Sequence, residues 1–405
     1  MRKKLLLSAI VSTLAFSSVA MAAQTESDSL YSALKSGKFS FKTRTFYMIR
    51  TFENTPEPST RALTFGGIMK YETSSYKNLK LGLAYYGNQN LGLYPGSEGA
   101  NPHGGTSLLE RNTGNSLNFL GEAYLQYNIS NTMVKVGRQQ LATPLMNNHD
   151  LRALPSVYEA AIVRNTDIKD TMVELGYVRR YTGFTSKDNE FLDYNSKWGK
   201  DGLAYILLKN KSIKNLSIRA QYIVPVSKTK DAGTHISIQD YKYLDAKYNL
   251  AFGNKTYVKM QTGGNSYYNA SNSTLIGAKV GSRFFNILDA TLLFDKISGN
   301  NFKAVEAGPM YSDWQQGYGD YQPSTAFGSQ LILYPIKPLS LKVGYVNVNA
   351  ASGYHVDDFS EFNFDGKYAF NEASKLRVRY SYKHQKPDTT RTSRQDFRII
   401  YYLNF

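Results

Sequence analysis

The chain has 405 residues, a formal net charge of +16, no cysteine, and 32 tyrosines and 21 phenylalanines against 2 tryptophans. Without cysteine there is no disulfide framework and no thiol for a lipid anchor. Beyond residue 22 no run of 18 or more apolar residues occurs, which excludes a helical membrane protein but not a membrane β-barrel, whose strands alternate apolar and polar side chains.

In chain order, Met1-Arg2-Lys3-Lys4 is a basic start, and Leu5 to Ala15 is an apolar run too short to span a bilayer. Ser17-Ser18-Val19-Ala20-Met21-Ala22 supplies small residues at a cleavage site. Together they predict a signal peptide over 1–22, cut after Ala22, and export of one domain, 23–405. Residues 23–37 read as a periplasmic lead-in. Loss of Arg2, Lys3 and Lys4 lowers the charge but leaves the exported chain basic.

From Lys38 the pattern is period two. Phe39, Phe41, Thr43, Thr45, Tyr47 and Ile49 form one face of a first strand, with Lys38, Ser40, Lys42, Arg44, Phe46, Met48 and Arg50 on the other. Similar alternation runs through Leu63–Tyr71, Leu79–Tyr85, Leu117–Tyr127, Val173–Tyr177, Leu216–Val224, Leu341–Tyr345, Phe362–Phe370, Leu376–Tyr382 and Phe397–Phe405. Between strands, short turns such as 130–132, 165–170, 210–215, 252–254, 335–338 and 371–374 alternate with long stretches rich in Gly, Asn, Ser and Pro. The long stretches are 52–61, 88–114, 139–155, 182–201, 226–237, 263–273, 298–325, 348–359 and 385–395. Such alternation predicts an all-β, transmembrane antiparallel β-barrel of about 18 strands, with short periplasmic turns and long extracellular loops. The aromatic content suits girdles at the two membrane interfaces. A barrel can end inside a strand, because the last strand pairs with the first. The final Phe405, with apolar residues at alternate positions upstream, resembles the assembly signal of Gram-negative outer membrane barrels, which implies the barrel assembly machinery as a partner.

One stretch goes further. In "VKVGRQQLATPLMNNHDLRALPSVYEA" (Val134–Ala160), the pattern Gly137-Arg138-Gln139, Leu141, Thr143-Pro144-Leu145, Asp150, Arg152 and Pro155 resembles the fifth strand and third loop of the OprD-type outer membrane porins. Leu34–Arg50 resembles their first strand. The resemblance implies an 18-stranded channel, monomeric or loosely trimeric, whose third loop enters the lumen and whose basic ladder guides carboxylate-bearing solutes. His149 and Met146-Asn147-Asn148 depart from the family pattern at the constriction.

The residues support a charged lumen independently. With the aromatic face of the first strand toward lipid, Lys42, Arg44 and Arg50 point inward, and the same phase puts Arg219, Gln221, Lys342, Arg377, Arg379 and Arg398 inside. A charge on the lipid face costs about 2–4 kcal/mol at mid-membrane, which favours this assignment. These residues, with Asp150 and Arg152 of the third loop, are the candidate pore lining. One reading is anion guidance; the other is wall stiffening by pairing with Glu122, Glu174, Asp289 or Asp365. For Asp150 and Arg152, a latch on the loop and a substrate contact stand equal. Arg138, in phase with Val134 and Val136, would face lipid unless the strand bends or bulges at Gly137, and a bend or bulge is expected there.

The functional expectation is therefore an outer membrane porin passing small hydrophilic, anionic solutes, with lipid and solute as partners. No catalytic, metal or cofactor site is assigned. A barrel hydrolase and a loop-displaying adhesin are the competing classes. His103, His149, His235, His355 and His384 lie in or beside long loops, and neither His149-Asp150 nor His355-Asp357-Asp358 has a spaced nucleophile. The basic charge is spread over alternating strands rather than clustered, which argues against nucleic acid as a partner.

Overall fold

The computed structural model describes residues 26–53, 59–92, 106–110, 114–183, 192–193, 201–226, 238–306, 308–312, 315, 322–351, 358–385 and 393–405. The expected leader 1–22, His103, His235 and His355 lie outside them. The period-two segments form β1 (Lys38–Phe52), β2 (Thr60–Glu72), β3 (Leu79–Asn90), β4 (Leu117–Ile129), β5 (Thr132–Gln139), β6 (Val157–Asn165) and β7 (Thr171–Thr182). After the two-residue β8 (Leu192–Asp193) come β9 (Leu203–Asn210), β10 (Leu216–Pro225), β11 (Ile238–Asn249), β12 (Asn254–Tyr267), β13 (Ser273–Phe284) and β14 (Leu288–Gly299). The last are β15 (Ser324–Ile336), β16 (Leu339–Ala350), β17 (Phe359–Ala369), β18 (Ser374–Gln385) and β19 (Arg394–Asn404).

Each strand pairs antiparallel with its neighbours, β8 touching only the end of β7, and the result is a closed 18-strand barrel. Closure runs from Lys42 opposite Asn404 to Phe52 opposite Arg394. Phe405 extends it, exchanging both backbone hydrogen bonds with Phe41, at 2.9 and 3.0 Å. Among the described residues no barrel strand leaves an edge open to lipid, where each unsatisfied backbone group would cost several kcal/mol (order of magnitude). Connections fall at the nine places where long ones were expected, except that residues 263–267 belong to β12 and only 268–272 join it to β13. Two short turns had passed unread, 73–78 and 285–287. Their central residues Lys77-Asn78 and Phe285-Asn286 have φ of 50° to 65°, the paired left-handed geometry that suits a tight hairpin.

The wall sorts its side chains by phase. Phe39, Phe65, Leu125, Leu175, Met260 and Leu292 are exposed on the outside, whereas the intervening residues face the lumen. The tyrosines do not serve only as girdles. Tyr124 lies over Gly82 and Tyr205 over Gly176 on adjacent strands, inside the barrel, where a Cβ on either glycine would overlap the ring. Glycine without a side chain leaves a hole, and a cross-strand ring fills it.

The bulge expected at Gly137 is absent. Gly137 stays in register with Tyr124 and Ala160, and the register shifts in this part of the wall lie at Ala84/Tyr85 against β4 and at Glu159/Ala160 against β7. Arg138 therefore keeps its outward phase. It is tolerated there because Glu159 of β6 pairs with it at 2.9 Å and with Arg180 of β7 at 3.7 Å. Replacing Glu159 with alanine sets two guanidiniums side by side without the carboxylate between them. We expect a loss of about 1 kcal/mol, as for charges near the membrane interface, read as a lower unfolding midpoint; an unchanged midpoint would show that headgroup solvation alone carries them.

At the short-turn rim, α1 (Leu30–Lys35) is capped by Ser29, whose hydroxyl accepts from Ser32 N–H at 3.1 Å. It packs on the 73–78 turn through Ser36 and Ser74, and Glu26 accepts from Ser75 and Asn78. The apolar core lies inside the barrel, where inward loops meet the wall. Leu145, Met146, Phe302 and Val305 pack with Tyr158 and Tyr205, and Leu108, Leu109 and Leu154 pack with Phe46, Met48 and Tyr86.

Candidate functional site in the lumen

The loop 140–156 is stiffened where it leaves the wall. Thr143-Pro144-Leu145-Met146 turns tightly, with Thr143 Oγ1 accepting from Met146 N–H at 3.0 Å and proline fixing the second position. Gln221 of β10 holds this turn: its Oε1 accepts from Leu145 N–H at 2.9 Å and its Nε2 donates to Thr143 Oγ1 at 2.8 Å. A second loop also enters through residues 301–306. Leu145 carbonyl accepts from the N–H groups of Val305 and Glu306, at 3.0 and 3.1 Å. His149 Nδ1 lies 2.8 Å from Glu306 Oε1, and Ser156 Oγ donates to the same oxygen at 3.2 Å. The constriction is thus a clamp between two loops. Glu306→Ala removes its side-chain half; single-channel records should show noisier, larger currents, and an unchanged trace would mean that the Leu145 backbone bonds suffice.

The free end of the loop crosses to the opposite wall. Asp150 pairs with Arg44 of β1 at 2.9 Å, and Arg44 Nη1 also donates to Arg152 carbonyl at 2.5 Å. Burial, and then the guanidiniums of Arg398 and Arg50, disfavour the charged form of Arg152 and hold its pKa well below the usual range.

Strand register stacks charges on that wall. One rung across β19, β18, β17 and β16 reads Arg398, Arg379, Asp365, Lys342. Beside it, Arg377 stands opposite Lys367 and chelates Asp365 with Nε at 2.8 Å and Nη2 at 2.6 Å. Toward the long loops, Asp396 stands opposite Arg50, and Arg394 lies between Phe52 and Lys383, the latter opposite Glu361. Asp396 and Arg398 are fully buried and paired at 2.9 Å, and Arg50 reaches Asp396 at 3.0 Å.

Of the residues singled out from sequence, Arg44, Arg50, Asp150, Arg152, Lys342, Arg377 and Arg379 converge here. Lys42 faces the lumen nearer the short-turn rim, opposite Asn404 and Ile68, outside the ion-pair cluster. Arg219 belongs to another group on β10, donating Nε to Asp245 at 2.9 Å. The four acids named for wall bracing are all paired, but only Asp365 with a residue singled out from sequence, Arg377; Glu122 pairs with Lys70, Glu174 with Arg164 and Asp289 with Arg283. Missed from sequence were Asp396, Lys367, Arg394 and Glu306. The first three sit in phase with residues already assigned inward, so alternation could have found them. Glu306 has no such signal.

A closed antiparallel barrel with a charged lumen narrowed by inward loops defines an outer membrane channel of the porin class. Residues 34–221 match the model of the outer membrane porin, OprD family, in accord with the resemblance carried by Val134–Ala160. Among solved structures it is similar to Pseudomonas aeruginosa OpdO, at 15% identity and TM-score 0.73 over 93% of this chain and 98% of that one. P. aeruginosa OpdK with vanillate gives 12% identity and TM-score 0.76 over 92% and 99%, and Acinetobacter baumannii OccAB3 gives 15% and 0.74 over 92% and 99%. No curated protein gives a match.

Proposed function

We propose that this porin passes small hydrophilic anions, above all carboxylates, along the guanidinium ladder of β1, β18 and β19. The observation that carries the reading is the stacked register on that wall, where Arg44, Arg50, Arg377, Arg379, Arg394 and Arg398 outnumber the acids Asp365, Asp396 and Glu361 beside them. A guanidinium offers a planar fork that fits a carboxylate. A surplus of such groups in a narrow lumen lowers the barrier for anions. Asp150 acts as a latch, its carboxylate being engaged by Arg44, while Arg152 stands close to Arg398 and Arg50. Vanillate, found with OpdK, is an aromatic carboxylate and accords with this substrate class.

Among the described residues the hydrolase reading has one near approach: His384 Nδ1 lies 3.5 Å from Ser393 Oγ, at the outer limit of a hydrogen bond. Ser393 Oγ is also placed to donate to Gln385 carbonyl at 3.2 Å. Purified protein in a planar bilayer should give ion conductance with a reversal potential on the anion side in a salt gradient. Liposome swelling should be faster with small carboxylates than with cations of equal size. A sealed bilayer, or a cation-side reversal potential, would overturn the proposal.

A further inference from the structure

The wall opposite the ladder carries a different arrangement. Lys247 of β11 stands directly opposite Lys259 of β12, and Lys259 directly opposite Lys279 of β13. All three face the lumen, in the half nearer the short turns. They border a cavity of about 990 Å³ that also reaches turn residues such as Asn215 and Leu250.

Like charges directly opposite each other on neighbouring strands are destabilising. The acids around this rung are already committed. Asp245 is chelated by Arg219 and accepts from Tyr243. Asp295 accepts from Gln261, from Ser312 N–H and from Ser312 Oγ, at 2.7, 2.7 and 2.8 Å. Asp289 is chelated by Arg283. Among the described residues no carboxylate forms an ion pair with any of the three lysines. What touches them is aromatic: Tyr311, on the inward loop, has its ring 5.3 Å from Lys259 and 5.9 Å from Lys279, and Tyr257 lies 4.9 Å from Lys247.

We infer that this lysine rung is an anion station separate from the arginine ladder, built for a compact multivalent oxyanion such as phosphate or diphosphate. An ammonium is a point charge without the planar fork of arginine, so it suits a tetrahedral oxyanion as well as a flat carboxylate. Adjacent strands lie about 4.8 Å apart, so one phosphate can bridge two neighbouring ammoniums and a diphosphate can reach all three. Tyr311 closes the rung from the lumen side, and its ring favours the ammoniums while an anion is absent. The inference does not depend on the selectivity of the ladder.

The test uses the full-length folded barrel in detergent, with thermal unfolding followed at constant ionic strength in chloride, acetate, inorganic phosphate and pyrophosphate. A ligand that binds only the folded state raises the midpoint. Wild type should be stabilised by phosphate and more by pyrophosphate, with acetate no different from chloride. The triple variant Lys247→Gln, Lys259→Gln, Lys279→Gln should have a higher midpoint in chloride, because repulsion is relieved, and should lose the phosphate-specific rise. Lys259→Gln alone, which removes only the middle charge, should weaken the rise if the triple variant does not assemble. Arg377→Gln with Arg379→Gln should keep it, which separates failure here from failure of the ladder reading. Equal rises in all four salts, or a phosphate rise that survives in the lysine variants, would overturn the inference.

Discussion

Replacing Arg377 and Arg379 together with glutamine is expected to remove most of the anion preference of the channel while leaving the barrel folded. The two guanidiniums face the lumen on β18 in successive rungs, Arg377 opposite Lys367 and Arg379 opposite Asp365. A unit charge about 4 Å from a passing ion contributes about 1 kcal/mol even at the dielectric of water. Loss of both, discounted for screening, should lower the ratio of anion to cation permeability about tenfold. The fold should survive because Asp365 is not abandoned: Lys367 lies at 4.0 Å and Lys342 stands opposite it. The measurement is the reversal potential in a salt gradient, which should move toward zero. An unmoved potential would place the filter at the two-loop clamp and make the ladder structural.

The barrel was legible because period two repeats in nearly every strand and connection length alternates on the two rims; neither property needs knowledge of distant contacts. The inward charges were legible for the same reason, since phase alone assigns Arg377, Arg379, Lys342 and Arg219 to the lumen. Phase does not tell which inward charges meet. Arg219 and Arg377 read alike in sequence, yet one is chelated by Asp245 of the adjacent strand and the other joins a shared cluster. That difference depends on register, which turn geometry fixes.

Loop paths were the illegible part. Nothing local to Glu306 says that its segment enters the lumen to meet His149, and nothing near Asp150 says that its partner is Arg44, more than a hundred residues earlier. Arg138 misled for a physical reason. The rule that charge avoids the outer face assumes an isolated charge, whereas Glu159 on the neighbouring strand supplies a partner in place.

The second large effect is expected at Asp396. Its carboxylate and the Arg398 guanidinium are both sealed from solvent, with Arg398 Nη2 at 2.9 Å and Arg50 Nη2 at 3.0 Å from Oδ2. Removing one partner of a buried pair leaves an uncompensated charge, which costs about 3–5 kcal/mol. Asp396→Asn should therefore sharply reduce the folded, heat-modifiable fraction and lower the unfolding midpoint. Whatever does fold should be more anion-preferring than wild type, because an acid has left the ladder. Stability and selectivity then move in opposite directions, a pairing that general misfolding does not produce. Adding Arg398→Gln to Asp396→Asn removes the stranded charge and should restore much of the lost stability, so the two losses should not add. Additive losses would mean that another acid of the wall already compensates Arg398, and the buried pair would then be no more than a neighbour of the ladder rather than the element that holds its upper rungs in place.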